Sequence, residues 1–433
     1  MSPLVLALAV VSASGAPPQE AREAPVTLAR AYRAAADADP RARQLALEAE
    51  QATLRLRTLE TERLPSLRLE ARGQHQSDVA SFPLRDPSGM PLITPPKTTA
   101  DAFIGLEQRL FDPSRAARAA IVRAELGEAR ARVEAALFAL RQEVDDAFFA
   151  AASAGARAGA IAIRIAALER LKTVADARVR EGAALPGEAR GIEAAILMRR
   201  QDQLQASLAR RVALDRLALI TGGAVRRDSV LDASAALAAA FAGARERLAD
   251  ARSRPEYAVF DATIEKLRRQ EDAVGAAGQP RAAAFARAGA GRPGLNFIDD
   301  GFNAYWLAGV QLQWEPWSWG TRARERESLG IAREIVATEA AAFSARLART
   351  VDAGLTEVER LEGALALDDR IVALRRQIED ETRIRWEARV VSLSEYLDRS
   401  GELLDAELAR EERRVALDAA RARLLTAAGV EVK

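Results

Sequence analysis

Glu395 and Asp398 come nearest to a chemical pair in this chain. They stand three residues apart, so on a helix both carboxylates share one face, one turn from each other. Two neighbouring carboxylates divide acid and base roles only where burial or a charge drives their proton affinities apart. The sequence around them is charged and supplies no such environment. What remains for them is electrostatic work, because carboxylates gathered at a pore concentrate cations and repel anions. Other reactive chemistry is scarce. The 433 residues contain no cysteine, which removes thiol nucleophiles, disulfides, zinc fingers, iron–sulfur sites and an acylated N-terminal cysteine. The single histidine, His75, argues against a His-rich metal site and a conventional Ser-His-Asp triad; it falls where a strand pattern meets a loop and reads as a solvated residue. The chain therefore reads as a non-enzyme, with no cofactor and no metal site expected.

Elements must hold these acids in place, and the chain specifies them twice. Pro40 and Pro65 are 25 residues apart, as are Pro255 and Pro280. Residues 182–222 overlay 389–429 without a gap at a shift of 207, which sets Glu188 opposite Glu395 and Gly222 opposite Gly429. A period this long exceeds the roughly 20–50 residues of solenoid repeats and points to a duplicated, domain-sized unit. The first repeat is read at 26–222 and the second at 255–429, with an alanine-rich joining segment at 223–254.

Each repeat follows one order. A helix over 40–63, or 255–276, starts at a proline, which suits a first turn, and stops before the next proline. A strand follows. Leu67, Leu69 and Ala71 alternate with Arg68, Glu70 and Arg72; the counterpart at 282–289 is weaker because its apolar face is alanine. A loop rich in Pro or Gly leads to a second strand, where Ile104, Leu106 and Leu110, or Val310, Leu312 and Trp314, alternate with polar or small residues. Long stretches without proline come next, 114–182 and 320–389. Each predicts a helix of roughly 100 Å, too long for a globular core and suited to coiled-coil packing. Phe343, Leu347, Val351, Leu355 and Val358 form its stripe. Shorter helices return over 187–221 and 392–428.

Composition narrows the setting. Lys+Arg number 63 against Asp+Glu 62, a net charge of +1, so no basic surface for nucleic acid is expected. An apolar run from Pro3 to Val11, followed by Ser14, Gly15 and Ala16, reads as a secretory signal over 1–16. It lacks the usual positive lead, so the true start is expected upstream. No later stretch offers 18 uncharged apolar residues, and no transmembrane helix is expected. Four alternating strands of about ten residues do fit outer-membrane strands. Lipid tolerates no open sheet edge, and the smallest bacterial barrels have about eight strands, so four would have to close with other copies. A coiled-coil scaffold of the periplasm or cytosol, without a channel, is the alternative; it would need neither barrel strands nor a signal.

Several stretches together resemble the TolC-type outer-membrane efflux family: Thr27-Leu28-Ala29 with Ala34 and Asp39-Pro40; Leu64-Pro65-Ser66-Leu67; Leu110-Phe111-Asp112; Gly309-Val310-Gln311-Leu312 on to Trp319-Gly320; and Val391-Ser392-Leu393-Ser394-Glu395-Tyr396-Leu397-Asp398. The resemblance spans almost the whole chain, in order and twice. It implies a mainly α fold with a small β part: duplicated helical hairpins forming a trimeric periplasmic α-barrel, and four strands per chain in a shared twelve-stranded outer-membrane β-barrel. It further implies a homotrimer, a periplasmic adaptor protein and an inner-membrane transporter as partners, and outer-membrane lipid around the barrel. By the same resemblance Gly182, Ala183, Ala184 and Leu185, with Arg389, Val390, Val391 and Ser392, are the tips that meet the adaptor. Glu188, Glu395 and Asp398 fall at the acidic tunnel entrance, and Trp386 at a candidate gate aromatic. The family's tip glycine is kept at Gly182 and replaced at Arg389.

Overall fold

The computed structural model describes residues 25–79, 87–89, 95–232, 234–244, 253–295 and 301–431. The segment read as a signal, 1–16, lies outside these residues, as does much of the two loops that join the strand pairs. Among the described residues the order is β1 (Val26–Thr27), α1 (Leu28–Ala38), α2 (Arg41–Thr61), β2 (Ser66–His75), β3 (Thr98–Phe111), α3 (Pro113–Arg180), α4 (Pro186–Ile220), β4 (Leu231–Asp232), α5 (Ser234–Ala244), α6 (Pro255–Ala277), β5 (Arg281–Arg292), β6 (Asn303–Gln313), α7 (Thr321–Glu387) and α8 (Leu393–Ala427).

Helix starts follow local chemistry. Thr27 Oγ1 accepts the Arg30 N–H, and Asp112 Oδ1 accepts that of Ser114, so α1 and α3 each begin on a side-chain cap. Pro255 occupies the first turn of α6 as expected, but Pro40 sits one place earlier, as the N-cap of α2. The 68 residues of α3 and 67 of α7 each span about 100 Å. Each pairs with the shorter helix that follows, α3 with α4 and α7 with α8, and α3 also packs on α8, α6, α2 and α1.

β2, β3, β5 and β6 form one antiparallel sheet in that order, so the two repeats join through β3 and β5. Register puts like with like. Leu67 faces Leu106, Leu69 faces Ile104, Ala288 faces Trp306 and Ala284 faces Val310, giving one face that is almost wholly apolar and exposed. The other carries Arg68, Glu70, Asp101, Glu107, Arg287, Gln311 and Gln313. There Tyr305 O–H donates to Asp101 at 2.5 Å, and Arg287 lies over Phe103. β2 and β6 are open edges in a single chain.

The core lies where the hairpins meet, at their ends nearer the sheet. Phe148 and Val144 of α3, Leu214 and Leu217 of α4, and Leu424 and Leu425 of α8 close around Leu28 and Ala31 of α1 and Leu237 of α5. A fully buried side chain of this size contributes about 1.5–3 kcal/mol. The predicted stripe of α7 is present: Leu347, Val351 and Val358 are buried, with Phe343 and Leu355 packed against them. A second cluster, with Ile161, Leu168, Ile192 and Leu404, continues along the hairpins. One 18-residue window of α3 reaches mean hydropathy 1.3. In one chain 28% of that window is buried; Ala147, Phe148, Ala151, Ile161 and Ile165 of this helix pack against neighbouring helices, and charged sequence continues at both ends.

One carboxylate lies within the core. Asp145 is fully buried and accepts a short hydrogen bond from the Tyr32 hydroxyl, with Thr426 Oγ1 at 3.5 Å. Burial pushes its pKa up to about 7, against the pull of Tyr32 and Arg423. The group ties α1 to the end of α8. The joining segment is tied in as well, since β4 pairs in parallel with β1.

Candidate functional site

The four ends of the long hairpins close in the same way. At the end of α3, the Ala183 N–H bonds to Arg178 O at 2.8 Å and the Gly182 N–H to Val179 O at 3.1 Å. This nested pair is a Schellman motif, which needs a left-handed residue just past the helix. Gly182 supplies it at φ 71°. At the end of α7, Val390 bonds to Arg385 O at 2.8 Å and Arg389 to Trp386 O at 2.9 Å. There the left-handed residue is Arg389, at φ 62°. An arginine in this conformation costs about 1 kcal/mol relative to glycine. Its side chain has a use: Nη2 donates across to Ala183 O at 3.1 Å, lacing the second tip to the first.

A cleft of about 750 Å³ lies between the tips. It gathers Gly182, Ala183, Ala184, Leu185 and Glu188 from the first hairpin with Trp386, Arg389, Val391 and Ser392 from the second, and Arg178 also lines it. Val390, Glu395 and Asp398 stand outside it. Leu185 and Val390 point large apolar side chains into solvent at the tips. Glu188 and Glu395 each lie in the first turn of their helix, where the positive end of the helix dipole favours acids. Ser392 caps α8, its Oγ accepting the Glu395 N–H at 3.1 Å. Glu188 is half-buried, whereas Glu395 and Asp398 are exposed.

Trp386 does not hang into open space. It is only 6% exposed, stacked on Tyr396 with ring centres 5.4 Å apart and covered by the Arg178 guanidinium. Tyr396 in turn donates to Glu379 Oε1 at 3.0 Å, and Arg164 of the first hairpin approaches the same carboxylate at 3.9 Å. Burial, reinforced by Glu379, pushes the Tyr396 hydroxyl up to about 12. This linked group was not singled out in the sequence. Only the ten-residue spacing of Trp386 and Tyr396 across a short turn hinted at it.

No protein-family model and no curated protein matches the chain. Solved structures do. VceC, an outer-membrane protein from Vibrio cholerae, aligns with a TM-score of 0.63 at 14% identity, over 94% of this chain and 97% of its own. The MtrE outer-membrane channel of Neisseria gonorrhoeae, in its open state, aligns at 0.63 and 16%, over 94% and 89%. The CmeC outer-membrane channel of Campylobacter jejuni aligns at 0.61 and 14%, over 93% and 85%. Over more than nine-tenths of its length, this chain has the fold of the TolC-type outer-membrane channels.

Proposed function

We propose that three copies of this chain form an outer-membrane exit duct, through which substrates handed on by an inner-membrane transporter pass passively out of the cell. The observation that carries this reading is the four-stranded sheet. One face is almost wholly apolar across all four strands, the other mainly polar, and both edges are open. Such a sheet suits lipid only when closed by further copies, and three would give a twelve-stranded barrel. The helices support the same assembly. Leu367, Ile371, Leu374 and Ile378 recur at fours and threes along α7 and are exposed in one chain, an apolar seam that a neighbouring copy would cover.

The helical hairpins then continue the barrel as a periplasmic tunnel. Residues 182–185 and 389–392 present the tips to a periplasmic adaptor of a tripartite efflux or type I secretion assembly. Glu188, Glu395 and Asp398 stand beside these tips and, repeated by threefold symmetry, make an acidic entrance that favours cations. Trp386 acts as the packed base of the tip, holding α7 against α8 where the entrance narrows.

Light scattering in mild detergent should report a trimer, and planar bilayers should report a cation-selective pore. In the double variant Glu395→Gln, Asp398→Asn, cation preference should fall and block by divalent cations should weaken. A folded, monodisperse monomer would sink the shared barrel. A trimeric pore whose selectivity ignores the double substitution would leave the duct standing and remove the acidic entrance.

A further inference from the structure

The two repeats enter their long helices differently. β3 passes into α3 through Asp112 alone, whereas β6 is separated from α7 by residues 314–320. That connection reads Trp-Glu-Pro-Trp-Ser-Trp-Gly. Its tryptophans are turned outward: Trp314 is 57% exposed, Trp317 69% and Trp319 81%. Three large aromatic side chains displayed together are costly in water and mark a contact surface.

The display is built. The Trp317 and Trp319 rings meet edge to face, 5.9 Å apart at 87°. Trp319 has φ 50°, a left-handed conformation that a bulky side chain rarely adopts. Arg324 holds it there, donating from Nη2 to Trp319 O at 3.1 Å, and Thr321 N–H bonds to Ser318 O at 2.9 Å. The Trp314 indole N–H donates to Gly278 O at 3.1 Å, at the end of α6.

The patch also continues another surface. Trp306, 77% exposed, lies on the apolar face of β6, and Ala308, Val310 and Leu312 follow on that face before Trp314. From Trp306 to Trp314 the strand advances about 26 Å. Tilted as barrel strands are, that is about 20 Å of depth, close to an outer-membrane apolar band. Trp317 and Trp319 come after this band ends, on the side of the helices. Indole is suited to that boundary, with an apolar body for acyl chains and an N–H for headgroups.

We propose that Trp314, Trp317 and Trp319 are an interfacial anchor, lying in the phospholipid headgroup boundary on the helix side of the membrane and setting the depth of the barrel. The first repeat has no equivalent, so each chain carries one anchor. The inference rests on the outer-membrane reading of the sheet, and its test separates the two.

The chain has five tryptophans, and four variants of the full chain would each keep one of Trp306, Trp317, Trp319 or Trp386, the rest being replaced by Phe. Each is reconstituted into phosphatidylethanolamine–phosphatidylglycerol vesicles containing lipids brominated either next to the headgroup or near the bilayer centre. Trp317 and Trp319 fluorescence should drop about twofold with shallow bromines and much less with deep ones. Trp386, at the far tip, should not respond. If Trp306 is quenched while Trp317 and Trp319 are not, or if deep bromines quench these two as strongly, the anchor is wrong and the membrane sheet stands. If Trp306 also escapes quenching, the sheet itself is not in lipid. Should a variant fail to fold by far-UV circular dichroism, the double variant Trp317→Phe, Trp319→Phe in the otherwise intact chain decides: quenching by shallow bromines should fall below that of the parent, and unchanged quenching overturns the anchor.

Discussion

The hairpin ends away from the tips and the tips themselves use one turn for opposite purposes. Gly182, Gly222, Arg389 and Gly429 each follow a helix of the two hairpins, all have positive φ, and all sit in the same nested hydrogen-bond pattern. At the ends away from the tips that turn is walled in. A Cβ on Gly222 would stand 2.8 Å from Ala38 Cβ, and one on Gly429 would stand 2.8 Å from Ser253 Oγ and 3.0 Å from the Arg254 nitrogen. At the tip, a Cβ on Gly182 would meet nothing within 4 Å. Glycine at those ends answers two demands, a left-handed backbone and a missing side chain. Glycine at the tip answers only the first. That is why one tip can carry arginine, and why the arginine can reach across to the other tip.

The comparison breaks most visibly at Gly429. Gly429→Ala adds a backbone clash to the conformational penalty and should cost about 2–3 kcal/mol, seen as a clear drop in the thermal midpoint followed by circular dichroism. A midpoint within error of the parent would mean that the walled turn relaxes freely.

Asp145 gives the next largest effect, in its dependence on pH. Its folded pKa of about 7 lies above the ordinary carboxylate value, so the fold favours the protonated form. The stability it contributes is fully present below about pH 4 and is lost as pH rises through about 7. Relative to Asp145→Asn, the parent should therefore lose thermal stability between about pH 4 and 7 and change no further above that. Parallel pH profiles for the two proteins would count against a protonated Asp145.

Gly182→Ala carries the conformational cost alone and should lower stability by about 1 kcal/mol, a third to a half of the effect at Gly429. Equal losses at the two positions would erase the distinction between walled and open turns.

Arg389→Gly should be smallest. Relief of about 1 kcal/mol of backbone strain offsets the lost bond to Ala183, worth about 1 kcal/mol, so the midpoint should barely move. Spin labels at Ala184 and Val390 should nevertheless report a broader distance distribution between the tips. An unchanged distribution would mean that the arginine does not tie them.

Much of this architecture is written locally. Prolines and the shift of 207 residues located the long helices within a few positions, because helix ends depend on nearby residues. Alternation at Leu67, Leu69, Ile104 and Leu106 marked the strands, because successive strand side chains point to opposite faces. Two helices were not read as separate elements, α1 and α5. Both are rich in alanine, which packs well but gives little contrast between a buried and an exposed face. The acids showed a similar limit. The shift alone set Glu188 against Glu395, yet only the packing of the hairpins puts Glu188 in the cleft and leaves Glu395 and Asp398 outside it. Trp386 and Tyr396 stack because α7 and α8 fold back on each other, and Arg389 meets Ala183 across 206 residues of sequence. Repeats, caps and periodicities are properties of neighbours along the chain, and the sequence alone determined them. Contacts between hairpins depend on how helices of about 100 Å lie against one another, and that was decided by tertiary packing.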